Sequence, residues 1–387
     1  MSALPEAFPY WNFCYNTVWL LLPKAAHLQC AGELLRHAVY WGEHQALTRL
    51  LEGGVDANFG CAAALRYAIL KRDTKSIDIL VQFGVDVNVS NGALLREAIL
   101  YLKRGCYDMV VYLVQKGALC TYRVLETAAK DEGLFRMLLS YMVDPNYNEV
   151  LCAAAAGPHK DLITEIVQRE GVNVKYRESM PLRQAARKGT AETVQLLIDL
   201  GCDIHSRNNE ALAWAALGGN VDTMRLLLDH GADASAMNGR ALRKAVSHHM
   251  WKDPEVVKLL IQSQKTTAPP HTQIAGIDEA LITAAQCGDL NVIRVLLDDG
   301  AADPEASDNR ALRVAAAFGE RALVSLLLDR ATYIHTQPER VALLRQLVEE
   351  SDGPSREGVE HAAFAGWVEL ETFLRETPYV DPFNREP

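Results

Sequence analysis

One phrase recurs along this chain about every thirty residues, and three successive copies make its form plain: Pro181-Leu182-Arg183-Gln184-Ala185-Ala186, Ala211-Leu212-Ala213-Trp214-Ala215-Ala216 and Ala241-Leu242-Arg243-Lys244-Ala245-Val246. Self-similarity at that period confines the fold to stacked supersecondary units, because each unit is too small to bury its own apolar face. After the Ala pair comes a Gly or polar break, then an apolar triplet, then a Gly-x-Asp stop, as in Leu196-Leu197-Ile198…Gly201-Cys202-Asp203 and Leu226-Leu227-Leu228…Gly231-Ala232-Asp233. The pattern predicts two short helices and a turn. The small Ala pairs let the first helix approach its neighbour, and the Leu ridge of the second supplies bulk to bury. Gly201 and Gly231 fall where a helix must end, since Gly enters the left-handed region without a Cβ clash. Asn91-Gly92, Asn238-Gly239 and Asp308-Asn309 are turn formers that reverse the chain into the next unit.

Ordering a residue costs about 1.5 kcal/mol, and two short helices share too little apolar area to offset thirty such costs, so stacking is obligatory. Lead leucines stand at Leu35, Leu65, Leu95, Leu125, Leu151, Leu182, Leu212, Leu242, Leu281 and Leu312, with a partial last unit opening on Val359. The units opening on Leu182, Leu212 and Leu312 are the most regular; those opening on Leu125 and Leu151 are degenerate. This lead-and-stop pattern resembles the ankyrin repeat, which opens on Thr-Pro-Leu-His-x-Ala-Ala and stops on Gly-Ala-Asp. The resemblance covers most of the chain and implies an all-α, helix-turn-helix repeat solenoid with short inter-repeat turns and helical caps. The opening Thr and His of that family are missing, Pro survives only at Pro181, and Arg takes the His position at Arg36, Arg66, Arg96, Arg183, Arg243 and Arg313. Asp233 and Leu242 are nine residues apart, about three fewer than a 33-residue unit needs. The finger between units is therefore expected to be short.

The expected organisation is an N-terminal cap over residues 1–30, an array of about ten units over 31–334 with a loop insertion near 262–278, and a C-terminal segment over 335–387. The last holds an extra helix (Arg340 to Glu350), the partial repeat and an acidic cap. The first segment carries Phe8, Tyr10, Trp11, Phe13, Tyr15 and Trp19, aromatic bulk suited to covering an open end. Three-residue insertions near Lys103-Arg104-Gly105 and His249-Met250-Trp251 fall between paired helices, and Gln264 to His271 reads as a mobile Pro- and Thr-rich surface loop.

A net charge of −10 argues against nucleic acid as partner, since phosphate binding requires a basic stripe. The longest apolar run, Thr17 to Leu22, is too short to span a bilayer and lacks the context of a signal peptide. Eight cysteines without a Cys-x-x-Cys pair or zinc spacing read as packing residues. These features place the protein in the cytoplasm or nucleus, reducing and off the membrane, as a monomer without cofactor or metal.

Phosphate loops, dinucleotide fingerprints, zinc-protease helices and nucleophile elbows are all absent from the sequence, and His248-His249 is read as a pair of loop histidines. The Arg that recurs after the lead leucine is assigned a structural role, bonding finger carbonyls or the carboxylates of Asp56, Asp86, Asp203, Asp233 and Asp303.

In an ankyrin-like array the resemblance implies a concave face on which the two residues after the Ala pair are exposed. Here these are Tyr40-Trp41, Leu70-Lys71, Leu100-Tyr101, Lys130-Asp131, Arg187-Lys188, Leu217-Gly218, Ser247-His248, Gln286-Cys287, Ala317-Phe318 and Phe364-Ala365. Interface energy concentrates in aromatic and Arg anchors, so Tyr40, Trp41, Lys71, Tyr101, Arg187, Lys188, Leu217, His248, Phe318 and Phe364 form the candidate partner-binding set. Together these residues point to a non-enzymatic scaffold for a protein or peptide. The alternatives are an adaptor or regulatory subunit whose terminal segments recruit a ubiquitin-ligase, kinase or phosphatase complex, and an enzyme hidden between Leu125 and Gly171.

Overall fold

Each of the ten lead leucines is at most 2% exposed: Leu35, Leu65, Leu95, Leu125, Leu151, Leu182, Leu212, Leu242, Leu281 and Leu312 all sit in the core. The computed structural model describes residues 31–101, 107–247, 253–267, 269, 272–299, 302–318 and 321–331. Among these it forms 20 helices and no strand. The odd-numbered helices each carry a lead leucine: α1 (Ala31–Trp41), α3 (Phe59–Lys71), α5 (Val89–Tyr101), α7 (Tyr122–Ala128), α9 (Tyr147–Ala154), α11 (Tyr176–Lys188), α13 (Ser206–Gly218), α15 (Ala236–Ser247), α17 (Ile277–Cys287) and α19 (Ala306–Ala317). The even-numbered ones are the second helices: α2 (His44–Glu52), α4 (Thr74–Gln82), α6 (Tyr107–Gln115), α8 (Glu132–Ser140), α10 (Lys160–Val167), α12 (Ala191–Asp199), α14 (Val221–Asp229), α16 (Pro254–Thr267), α18 (Leu290–Asp298) and α20 (Arg321–Arg330). The expected terminal caps, the three-residue insertions, the extra helix and the repeat opening on Val359 lie outside the described residues.

The chain falls into two compact units divided between Ala154 and Ala155, inside the array expected over 31–334. In the first, α1, α3, α5, α7 and α9 pack side by side in order. In the second, α11 to α19 form one layer of first helices and α10 to α20 a parallel layer of second helices. Ala185, Ala186, Ala215 and Ala216 are buried between the helices, as their small size requires. Five of the second helices begin on side-chain caps: Asp73, Asp131, Thr190, Asn220 and Asp289 each accept the backbone N–H of a residue two or three positions on. These residues are the polar break of the repeated phrase.

The missing finger residues are replaced by a device the sequence announces only in part. Ahead of α5, α11, α13 and α15 proper, three consecutive residues adopt left-handed dihedrals: Ser90-Asn91-Gly92, Arg177-Glu178-Ser179, Arg207-Asn208-Asn209 and Met237-Asn238-Gly239. For a residue with a Cβ this conformation costs roughly 1–2 kcal/mol, so it persists only where the surroundings compensate. They do so by bonding from one inter-repeat turn to the next. The backbone N–H of Asp203 donates to Ser179 Oγ (2.9 Å), that of Asp233 to Asn209 Oδ1 (3.1 Å) and that of Asp303 to Asp278 Oδ1 (3.0 Å). In the first unit the accepting side chain stands earlier: Asn58 Oδ1 receives Asp86 N–H (2.7 Å), and Asn88 Oδ1 receives Leu119 N–H (2.8 Å) while its amide donates to the Gly117 carbonyl (2.9 Å). The stop aspartates accept the N–H two residues along, as in Asp203 to His205 and Asp233 to Ser235, closing Asx turns.

Composition misleads at one point in this array. Gln264 to Thr267 is the last turn of α16 rather than the mobile loop expected there. Gln264 is 4% exposed; its amide donates to the Ala234 carbonyl (3.2 Å) and its oxygen accepts Ala275 N–H (2.8 Å). A polar side chain that satisfies two buried backbone groups holds the helix together past the point where composition suggests it stops.

Two glycines separate conformational from steric demand. Gly239 (φ +62) would place a Cβ 1.9 Å from the Ala275 carbonyl oxygen, whereas Gly201 (φ +92) has open space there. Gly201→Ala is expected to cost about 1–2 kcal/mol, and Gly239→Ala at least twice as much, because backbone must move. Chemical denaturation monitored by circular dichroism compares the two.

Candidate protein-interaction surface

The C-terminal ends of the first helices project the residues that follow the Ala pair. In the first unit they are large and open. Tyr40 and Trp41 end α1 with their rings edge to face at 5.2 Å, and Trp41 is 70% exposed. Lys71, ending α3, holds its ammonium 4.0 Å from the Tyr40 ring centroid and donates to the Tyr40 carbonyl. Leu70 beside it is exposed, as are Leu100 (68%) and Tyr101 (70%) at the end of α5.

The equivalent ends in the second unit are more polar. Arg187 and Lys188 close α11 and are exposed, and the Arg187 guanidinium stacks 4.7 Å from the Trp214 ring centroid, a cation–π contact that orients both. Trp214 itself is half-buried, as its earlier register predicts. Leu217 departs from expectation, since it is half-buried rather than exposed. Its neighbour Gly218 lies so close to α11 that a Cβ would meet the Arg187 carbonyl at 2.5 Å; this tight helix approach draws Leu217 inward. Phe318 is exposed at 58%. His248 and Phe364 lie outside the described residues. Two further exposed apolar side chains, Phe59 and Met237, stand at the other end of the first helices, where the repeated phrase gives no signal for them. Phe59 covers Gly32 so closely that no side chain fits there.

The arginines after the lead leucines are structural, with one correction to their partners. Arg183 donates to the Arg177 carbonyl (2.7 Å) and Arg243 to the Met237 carbonyl (2.9 Å), each six residues back at the left-handed turn. Their carboxylate partners are not the stop aspartates, which are occupied by their own Asx turns. Arg183 instead pairs with Glu210 (2.6 Å), both side chains only 7% exposed. Arg240 (3.0 Å) and Arg207 (3.2 Å) approach the same carboxylate. One Glu thus ties α11, α13 and α15 together. Arg66 similarly reaches Glu97 of the next repeat (2.7 Å).

Little here suits bond-making chemistry. Burial pushes the Cys120 thiol up to about 11 and the Cys202 thiol to about 12, far from the lowered values of reactive thiolates. Among the described residues no group of three or more His, Cys, Asp or Glu side chains is arranged to hold a metal ion, and no helix is long and apolar enough to cross a membrane.

Comparison with known families supplies the class. A family model for ankyrin repeats, in three copies, matches residues 182–270 and 250–337. This part of the chain carries ankyrin repeats, which are in general protein–protein interaction modules and are typically non-enzymatic. Outside the matched stretch, α1 to α9 show the same buried lead leucines and paired short helices. No curated protein matches the chain.

The Glu210 junction gives a direct test of the structural role of these arginines. Glu210→Ala leaves Arg183 buried without its partner and is expected to cost about 3–5 kcal/mol, whereas Arg187→Ala, at an exposed site, stays within about 1 kcal/mol. Urea titration of the two variants measures the difference.

Proposed function

We propose that this protein is a non-enzymatic scaffold that holds a protein or peptide partner through the exposed ends of its first helices. One observation carries the reading: large apolar or basic side chains stand exposed at the first-helix ends of several repeats, at Tyr40-Trp41, Leu70-Lys71, Leu100-Tyr101, Arg187-Lys188 and Phe318, where solvation alone favours small or polar ones. Trp41, Leu100 and Tyr101 are each about 70% exposed there. Isolated exposed hydrophobes are ordinary, but their recurrence in register marks an interaction surface. Aromatic anchors of this kind concentrate binding energy because they bury large area with few rotatable bonds. The arginines after the lead leucines and the turn-to-turn hydrogen bonds fix the spacing of the helices within each unit, so the mechanism is presentation of a preformed surface, with no covalent step.

Affinity purification with mass spectrometry, comparing wild type with a Tyr101→Ala/Phe318→Ala variant, tests the proposal. Both residues are exposed, so the variant is expected to keep its far-ultraviolet circular dichroism and thermal midpoint. Loss of a wild-type partner from the folded variant supports recognition by the first-helix ends. Retention of every partner contradicts it.

A further inference from the structure

The kind of partner that the first unit takes is bound up with the loop after α3. In four repeats the residue that follows the first helix sits in the left-handed region: Gly42 at φ +72, Gly219 at +66 and Gly288 at +67, but Arg72 at +59. Three of them use the one residue without a Cβ penalty, and the fourth holds an arginine in strained backbone. Arg72 is exposed and makes no ion pair among the described residues, and neither does its neighbour Lys71. The nearby carboxylate of Asp73 is engaged, capping α4 through Ser76 and meeting His44 at 2.9 Å. Glu43, exposed at the loop after α1, is a single acid against the two cations. The arginines within α1 and α3 are paired, Arg36 with Glu33 and Arg66 with Glu97.

These cations stand in the middle of an apolar row. Helices α1, α3 and α5 pack side by side, so their ends, which carry exposed Trp41, Leu70 and Tyr101, succeed one another at about the 8–10 Å that separates the axes of packed helices. A peptide drawn out in the polyproline II conformation has three residues per turn and advances about 3.1 Å per residue, so every third side chain falls on one side and meets the next helix end.

Resting on the scaffold function, we propose that this row docks an acidic, extended segment of a partner protein, with carboxylates on Lys71 and Arg72 and apolar side chains at every third position over Trp41, Leu70 and Tyr101. The strained Arg72 is kept because it reads charge. Glycine at that position relieves the backbone and removes the recognition.

The test separates those two effects. A phage-displayed library of random peptides is selected on the full-length protein, and the enriched peptides are synthesised with a fluorophore and titrated by anisotropy. The expected result is enrichment in Asp and Glu with Leu, Phe or Trp, affinity that falls as salt is raised, and binding weakened about tenfold or more by Arg72→Gly and by Trp41→Ala. Arg72→Gly is at the same time expected to raise the thermal midpoint, an outcome that a purely structural Arg72 would give without any change in binding. Neutral or basic peptides, affinity indifferent to Arg72→Gly, or no enrichment at all overturn the proposal. So does sedimentation showing that a second copy of the chain covers the row. If Tyr101→Ala/Phe318→Ala loses its cellular partner while the selected peptides are not acidic, this inference fails and the scaffold function stands.

Discussion

Five of the described repeats share one recurrent hydrogen bond that joins successive inter-repeat turns: the backbone N–H at the end of a repeat is accepted by a side-chain oxygen at the turn that opens it. Asn58, Asn88, Ser179, Asn209 and Asp278 all serve this way. Leu-on-Leu packing is tolerant of sliding, because one methyl group replaces another at little cost. A directed bond to a finger N–H is not, since slippage strands a donor that water must then satisfy. The left-handed turns follow from the same constraint, because a short finger must bring those oxygens under the next repeat.

Much of this order is legible in the sequence because it rests on spacing. All ten lead leucines are buried, and five of the polar breaks are helix caps. The left-handed triplets are only partly visible. Asn91-Gly92 and Asn238-Gly239 name themselves as turns, but Arg177-Glu178-Ser179 contains no residue that favours φ above zero. It is forced into that shape by the repeats around it, a tertiary effect that local propensity does not carry. Gln264 is hidden for the opposite reason. Its neighbourhood has the composition of a loop, and only the two backbone groups it satisfies make it a buried helical residue. Exposure at the surface is readable where helix ends are free, as for Trp41 and Tyr101, and misleads at Leu217, where Gly218 lets two helices meet.

Arginine in this chain divides between buried, paired positions and exposed ones. Arg183 is buried against Glu210 and reaches the carbonyl of its own turn, so its charge is consumed internally. Arg72 lies in solvent on strained backbone, with no such partner among the described residues. The difference is positional: the residue after the lead leucine points into the stack, and the residue past the helix end points away from it. A rigid array of this kind can therefore vary its helix ends freely while its lead positions stay fixed by packing.

Hydrogen exchange measured by mass spectrometry on an Asn209→Gly variant tests the ladder most directly, because glycine keeps the left-handed backbone while removing the oxygen that accepts Asp233 N–H, along with its contact to His205 Nδ1. Faster exchange is predicted in the peptides spanning Asp233, with the peptides of α1 to α9 unchanged. Exchange at Asp233 indistinguishable from wild type would contradict the claim that these side-chain oxygens hold successive inter-repeat turns together.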